Sequence, residues 1–199
     1  MSKQAIIELR QITGAGITDI QSALEEANGD KVKALELLRK RGQAKAQKKQ
    51  NRETKEGVVH AYVHSNGRVG VLVEVACETD FVARNDDFKN FVHDLSLQIA
   101  AANPIYVNVD AVSPEVIEKE KSIIRGQLET DGKTKGKPEE MINKIIEGKL
   151  AKFYSDEVLL EQASIKDETL TIKDLLTEIT AKVGEKIEIK RFVRYSIGA

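Results

Sequence analysis

The sequence predicts an α+β fold. Three short helices come first, followed by a small, mostly antiparallel three-stranded sheet covered by helices and a helical hairpin. Three observations carry this prediction. Apolar residues recur at helical spacing through roughly the first 40 residues. From Gly57 the period changes to two, and Asn66-Gly67 separates two alternating runs. Helical spacing then returns, until the chain closes on the β-branched and aromatic stretch Ile187 to Tyr195. A hairpin, then helices, then a strand is α+β order, not regular βαβ alternation.

The composition fits a globular chain of one or two domains. Its 199 residues can bury a core without metal or disulfide staples. It is 41% hydrophobic and 32% charged, with net charge −1, so the overall balance calls for neither nucleic acid nor an anionic membrane. A single Cys77 rules out an intramolecular disulfide framework and fits a reducing compartment. No apolar run follows a basic N-terminal segment, and no stretch approaches the roughly 20 apolar residues of a membrane span. A cytoplasmic protein is expected.

In order along the chain, Ser2 to Thr13 reads as a helix with Ser2 as N-cap and Ala5, Ile6, Leu9 and Ile12 on one face. Gly14-Ala15-Gly16 stops it. Thr18, with Gln21 as capping-box partner, opens a second helix carrying Ile20, Ala23, Leu24 and Ala27. Asn28-Gly29 ends that helix, and Asp30 caps a third bearing Val32, Ala34, Leu35 and Leu38. Arg39 to Lys55 is basic and poor in apolar residues. It lacks the interleaved aromatics of a nucleic-acid surface and reads as a solvated helical extension or linker. The domain boundary falls here, giving residues 1–52 and 53–199.

The hairpin strands alternate Val59, Ala61 and Val63 with His60, Tyr62 and His64, then Val69, Val71, Val73 and Val75 with Gly70, Leu72, Glu74 and Ala76. The β-branched face needs a covering layer, since a lone hairpin is marginal in water. Next comes Thr79-Asp80-Phe81-Val82-Ala83-Arg84-Asn85, a tight junction into a helix. Two readings stay open for it. Phe81 is held outward on rigid elements against a partner, or it folds into the core while Asp80 caps the helix.

Asn85 or Asp86 caps the helix that buries Phe88, Phe91, Val92, Leu95 and Ile99. Pro104 closes it, and Ile105 to Val109 is a short extended piece. Ser113-Pro114-Glu115 starts a helix with faces marked by Val116, Ile117, Ile123, Ile124 and Leu128. Thr130 to Lys137 is a polar turn without the order of a phosphate-binding loop. Pro138-Glu139-Glu140 opens the second helix of the hairpin, with Met141, Ile142, Ile145, Ile146, Leu150 and Phe153 inward. Val158-Leu159-Leu160 is a short buried segment. Thr171 caps the last helix, with Ile172, Leu175, Leu176, Ile179 and Val183, and Gly184 stops it.

No covalent chemistry is expected. His60 and His64 share a strand face but stand far apart for one ion, and Cys77 with His93 adds no familiar ligand spacing. No nucleophile, base and orienter come together in the pattern. We therefore expect no metal, no cofactor and no catalytic residue.

A resemblance then enters. Leu9-Arg10, Thr13-Gly14-Ala15-Gly16, Ala23-Leu24 and Ala27-Asn28-Gly29-Asp30 are similar to a ubiquitin-associated-type (UBA-like) three-helix domain, as found at the N-terminus of the elongation factor Ts family. Asp19-Ile20-Gln21 departs from that family's usual Asp/Glu-Cys-Lys step. Glu74-Val75-Ala76-Cys77-Glu78-Thr79-Asp80-Phe81-Val82-Ala83-Arg84 resembles the family's second signature, with Ala76 where Asn or Val is usual. Gly136-Lys137-Pro138-Glu139, Phe153-Tyr154, Leu159-Leu160-Glu161-Gln162, Asp174-Leu175-Leu176 and Arg191-Phe192-Val193-Arg194-Tyr195 follow in order, so the likeness spans the chain as a short, single-core form.

The resemblance implies a guanine-nucleotide exchange factor for the translation GTPase elongation factor Tu, acting by binding and not as an enzyme. It implies that Thr79, Asp80, Phe81 and Val82 lie near the partner's magnesium site and help to dislodge the ion. It also implies that the N-terminal bundle is a second contact, for which Gly14, Ala15, Gly16 and Ile17 are the candidates. A tight helix–helix turn explains those glycines equally well. Two other readings stay on the page: a UBA-type adaptor, which leaves Thr79–Val82 unused, and a nucleic-acid chaperone built on Arg39 to Arg52. Monomer and homodimer both stay open, since a three-stranded sheet has edges.

Overall fold

The computed structural model describes residues 2–198. Contacts divide the chain into two compact units. One holds the residues up to Leu97 together with those from Lys173 onward, and the other holds Gln98–Ile172.

In the first unit, α1 (Lys3–Thr13), α2 (Ile17–Glu26) and α3 (Lys31–Gln47) pack around Ala5, Leu9, Ile20, Ala23, Leu24, Ala27, Ala34 and Leu38. Asp30 caps α3 as expected, its carboxylate accepting from Val32 N and Lys33 N. The capping box at Thr18 is not formed. Gly16 takes the N-cap position and Thr18 lies in the first turn of α2. Ile12 and Val32, placed on inner faces by periodicity, are exposed.

The basic stretch is not a free linker. It begins inside α3, which continues to Gln47. Four of its cations are paired with carboxylates: Arg39 with Glu178, Arg41 with Glu26, Lys45 with Asp19, and Arg52 with Glu78. Gly42 lies where α3 faces the last helix, α8 (Ile172–Val183). A Cβ there would come within 3.1 Å of Ala181 Cβ.

The sheet consists of β1 (Glu56–Val63), β2 (Val69–Cys77) and β3 (Ile187–Ser196), all antiparallel with β2 in the middle. Gly67 takes φ +67° in the turn, and the Asn66 side chain accepts from Arg68 N. The register pairs Ala61 with Leu72 and Leu72 with Val193, and a bulge falls between Glu74 and Val75. Val71, Val73, Val75, Ile187 and Ile189 are buried. β1 corrects the expectation that its valine face is covered. Val58, His60 and Tyr62 are the half-buried set, and Val59 and Val63 stand in solvent. Two helices follow β2: the five-residue α4 (Asp80–Arg84), packed on β1 and β2, and the 17-residue α5 (Asp86–Ala102).

In the second unit, α6 (Pro114–Thr130) and α7 (Glu139–Glu157) form the expected hairpin. Ile124 and Leu128 near the end of α6 pack with Ile142 and Ile146 near the start of α7. Ser113 caps α6. Met141, expected inward, is half exposed. Tyr106 and Val158 form a short parallel bridge beside the buried Val158 and Leu159. The amide of Gln98 is satisfied inside this unit, donating to Gln162 Oε1 and Ala163 O and accepting from Ile165 N. Among the described residues, no helix is long and apolar enough to cross a membrane.

Candidate partner-binding site

The site begins where the β2 ladder ends. Cys77 pairs with Ile187, and the chain then turns through Glu78 and Thr79 into the five residues of α4. A helix this short does not hold itself in water, so tertiary contacts fix it. Val82 and Ala83 supply the inward face and are buried. On the opposite side Phe81 is 83% exposed. The aromatic therefore points outward from a segment anchored by the very next residue. Exposed aromatic rings on rigid supports are the usual anchors of protein interfaces.

Asp80 does not cap α5. That role falls to Asn85, whose side chain accepts from Asp87 N at 2.7 Å. Asp80 instead lies 3.0 Å from Arg84 Nη2, one helical turn along, and both groups remain in contact with solvent.

Two carboxylates brace the entry to α4. Glu185 accepts from Thr79 N at 3.0 Å and from Thr79 Oγ1 at 2.7 Å. Glu78 accepts from Lys186 N at 2.6 Å and from Arg52 Nη1 at 3.2 Å. These bonds hold the Glu78 carboxyl below the usual carboxylate range, chiefly through the Lys186 amide, with Arg52 adding to it. Beneath them Cys77 is buried and donates to Thr79 O. Burial, reinforced by the nearby Glu185 carboxylate, pushes its thiol up to about 11. It is a protonated packing group near neutral pH, not a nucleophile.

The second predicted group, Gly14, Ala15, Gly16 and Ile17, forms the corner between α1 and α2. Gly14 takes φ +63° and its N–H closes α1 on Arg10 O at 2.8 Å. A Cβ at Gly14 would overlap the Lys182 stem on α8. Lys182 in turn donates to Asp87 at the start of α5. Ile12 and Ile17 flank this corner with exposed apolar surface. Both predicted groups thus border α8 and the turn that follows it.

Two features escaped the sequence reading. Glu185 lies far from Thr79 in the chain, and no local pattern marks it. His60 Nε2 and His93 Nδ1, on β1 and α5, come within 3.3 Å of each other. Burial and the facing His93 lower the pKa of His60. No group of three or more His, Cys, Asp or Glu side chains among the described residues is arranged to hold a metal ion. An open cleft of about 360 Å³ on the helical hairpin, lined by Glu120, Ile124, Lys149, Lys152 and Phe153 among others, includes none of the predicted site residues.

Comparison with known proteins identifies the family. The family model described as elongation factor TS matches residues 18–199. The chain is 54% identical over 198 residues to elongation factor Ts of Thermotoga maritima, covering 100% of this chain and 96% of that protein. It is 53% identical to elongation factor Ts of Carboxydothermus hydrogenoformans, with 100% and 89% covered. For elongation factor Ts of Fervidobacterium nodosum the identity is 54%, with 100% and 98% covered. Matches of this extent, over nearly the whole length of both partners, show that the chain belongs to the elongation factor Ts family.

Proposed function

We propose that this chain binds elongation factor Tu in its GDP and nucleotide-free forms and promotes GDP release by disturbing the partner's Mg²⁺ and phosphate site, so that GTP can reload during translation elongation. Family members are nucleotide exchange factors that act by protein–protein binding and not by catalysis of covalent change. The observation that carries the finer reading is the exposure of Phe81 beside the buried Val82.

The physics is a coupling free energy. A factor that weakens GDP binding is itself weakened by GDP to the same degree. GDP is held through phosphate contacts and Mg²⁺ coordination. Burying Phe81 in the partner supplies about 2–3 kcal/mol. If that burial is available only when the ion site is displaced, it shifts the partner toward the displaced state roughly 30- to 150-fold. Thr79 and Val82 hold the segment, one by its bonds to Glu185 and one by burial. Asp80, already matched with Arg84, orients the segment or bonds the partner. A single carboxylate is a poor competitor for a formed octahedral Mg²⁺ site.

The N-terminal helices, with their basic extension over 1–52, serve in this reading as a UBA-like module that makes a second contact through Gly14, Ala15, Gly16, Ile17 and the exposed Ile12. Residues 53–199 serve as the core module. The site of action is the cytoplasm. Release of fluorescent GDP from purified elongation factor Tu tests the proposal. Acceleration at micromolar concentrations of this chain supports it, and no acceleration overturns it.

A homodimer is favoured by one further observation. The sheet face opposite Val71, Val73 and Val75 carries Val59, Val63, Leu72, Val193 and Tyr195, all exposed. The register places them in adjacent rows across the three strands. A second copy of the same face would cover this apolar patch symmetrically. Light scattering should report twice the monomer mass, and Leu72→Lys should restore the monomer. A monomeric unsubstituted chain would contradict the dimer.

A further inference from the structure

We infer that Glu185 is a positioning residue for the Thr79–Val82 segment, and that its two bonds to Thr79 set the direction in which Phe81 is presented. What is being positioned rests on the exchange reading above.

Thr79 occupies the N-cap of α4 with extended backbone, φ −129° and ψ 158°, but its side chain caps nothing. Its hydroxyl is committed to Glu185 Oε1, and its N–H to Glu185 Oε2. The first anchored point of the segment is therefore made by a residue from a different part of the chain. The other anchor is the burial of Val82. Phe81 lies between them with most of its surface in solvent, so its direction follows from the backbone these two anchors hold. Bonds to an ionised acceptor are roughly twice as strong as neutral ones.

The arrangement is reciprocal. Glu185 accepts from the amide of Thr79, and Glu78, one residue before Thr79, accepts from the amide of Lys186, one residue after Glu185. The backbone pairing of β2 with β3 stops at Cys77 and Ile187. Beyond that point the two carboxylates continue the link between the chains as a crossed clamp. The turn carrying Glu185 is itself fixed from the N-terminal side. Lys49 donates to Gly184 O, and Lys186 Nζ donates to Arg52 O at 3.0 Å. One turn therefore mounts both the Thr79–Val82 segment and the end of the basic extension.

A residue that only stabilised the fold would alter activity in proportion to the unfolded fraction. A positioning residue lowers the maximal rate of GDP release while the folded fraction is unchanged. The test uses the full chain with Glu185→Ala and Glu185→Gln. It measures fluorescent GDP release from elongation factor Tu against exchange-factor concentration, the thermal midpoint, and ¹⁹F resonances of fluorophenylalanine-labelled protein, with Phe81 assigned by Phe81→Ala. For Glu185→Ala we expect a maximal rate lower by about tenfold, a half-saturating concentration changed less than the rate, and a Phe81 resonance moved and averaged. Glu185→Gln, which keeps one acceptor, should fall between. In a Thr79→Val background the Glu185→Ala loss should be smaller but not absent, since Thr79→Val removes the hydroxyl bond and leaves the N–H bond to Glu185 in place.

Full maximal rate and an unmoved Phe81 resonance in Glu185→Ala would overturn the inference. So would a loss of rate that tracks the fraction unfolded in both variants. If Glu185→Ala is unfolded at the assay temperature, Glu185→Gln decides by the same criteria. If the unsubstituted chain fails to accelerate GDP release, the exchange reading fails. The ¹⁹F comparison still decides whether Glu185 holds Phe81.

Discussion

Asp80 Oδ2 lies 3.0 Å from Arg84 Nη2 within the single short helix that carries Phe81. The carboxylate beside the exposed aromatic therefore has a cation of its own. As an exposed pair one turn apart it adds less than about 1 kcal/mol to stability. Its interest is for function, because Asp80 can either orient the segment through Arg84 or leave that cation for the partner, and substitution separates the two.

Asp80→Asn and Arg84→Gln separate the two roles. If Asp80 orients the segment, both substitutions slow GDP release to a similar extent, by a few-fold, with thermal midpoints close to the parent. If Asp80 acts on the partner's ion directly, Asp80→Asn alone is severe and Arg84→Gln is neutral or faster, because it frees the carboxylate. Stopped-flow release of fluorescent GDP distinguishes the patterns.

Gly14 and Gly42 make different demands. Gly14 combines φ +63° with close packing on Lys182. Gly14→Ala is expected to cost about 1–2 kcal/mol from backbone strain alone. Gly42 is helical, and only Ala181 Cβ at 3.1 Å opposes a side chain there. Gly42→Ala gains about 1 kcal/mol of helix propensity against a small shift of Ala181 and should be near neutral. Gly42→Leu should cost about 1–3 kcal/mol by forcing α3 off α8. Urea unfolding of the three variants tests this order.

His60 gives the fold a pH dependence. Burial first, and the facing His93 second, lower its pKa in the folded protein, while Tyr62 packs against the His93 ring. A histidine near its ordinary pKa of about 6.5 takes up a proton in the unfolded chain before the folded protein does. Between the folded and ordinary values the unfolded chain binds more protons, so stability rises with pH and is lost as pH falls below about 6.5. His60→Gln should flatten this contribution, and His93→Gln should reduce it only in part. Thermal midpoints between about pH 7.5 and about pH 5.5 give the comparison.

Local chemistry made much of the fold legible. Asp30 and Ser113 cap the helices that follow them, and Asn66-Gly67 turns the hairpin. Periodicity identified the buried stripe of α5 through Phe88, Val92, Leu95 and Ile99, while Phe91, expected with them, is only half-buried. What failed depended on register and long-range packing. Both faces of β1 carry apolar residues, so alternation alone could not say that helices cover His60 and Tyr62 and leave Val59 and Val63 open. The basic stretch read as a solvated helical extension or linker; α3 does continue through it to Gln47, but its acidic partners, Glu178 and Glu78 among them, lie elsewhere in the chain and could not be read locally. At the site, the junction around Phe81 was legible as a whole. Its local pattern could not tell an inward ring from an outward one, since burial of Val82 and Ala83 decides that. Glu185 was invisible because nothing local connects it to Thr79.

The most direct test of the central claim compares Phe81→Ala with the unsubstituted chain, in one assay of fluorescent GDP release from elongation factor Tu and one thermal unfolding experiment. The ring is 83% exposed, so its removal should leave the midpoint within about 1–2 °C of the parent. If the ring supplies about 2–3 kcal/mol in the displaced state, exchange should slow roughly 30- to 150-fold. Unchanged exchange in a folded Phe81→Ala variant would contradict the account.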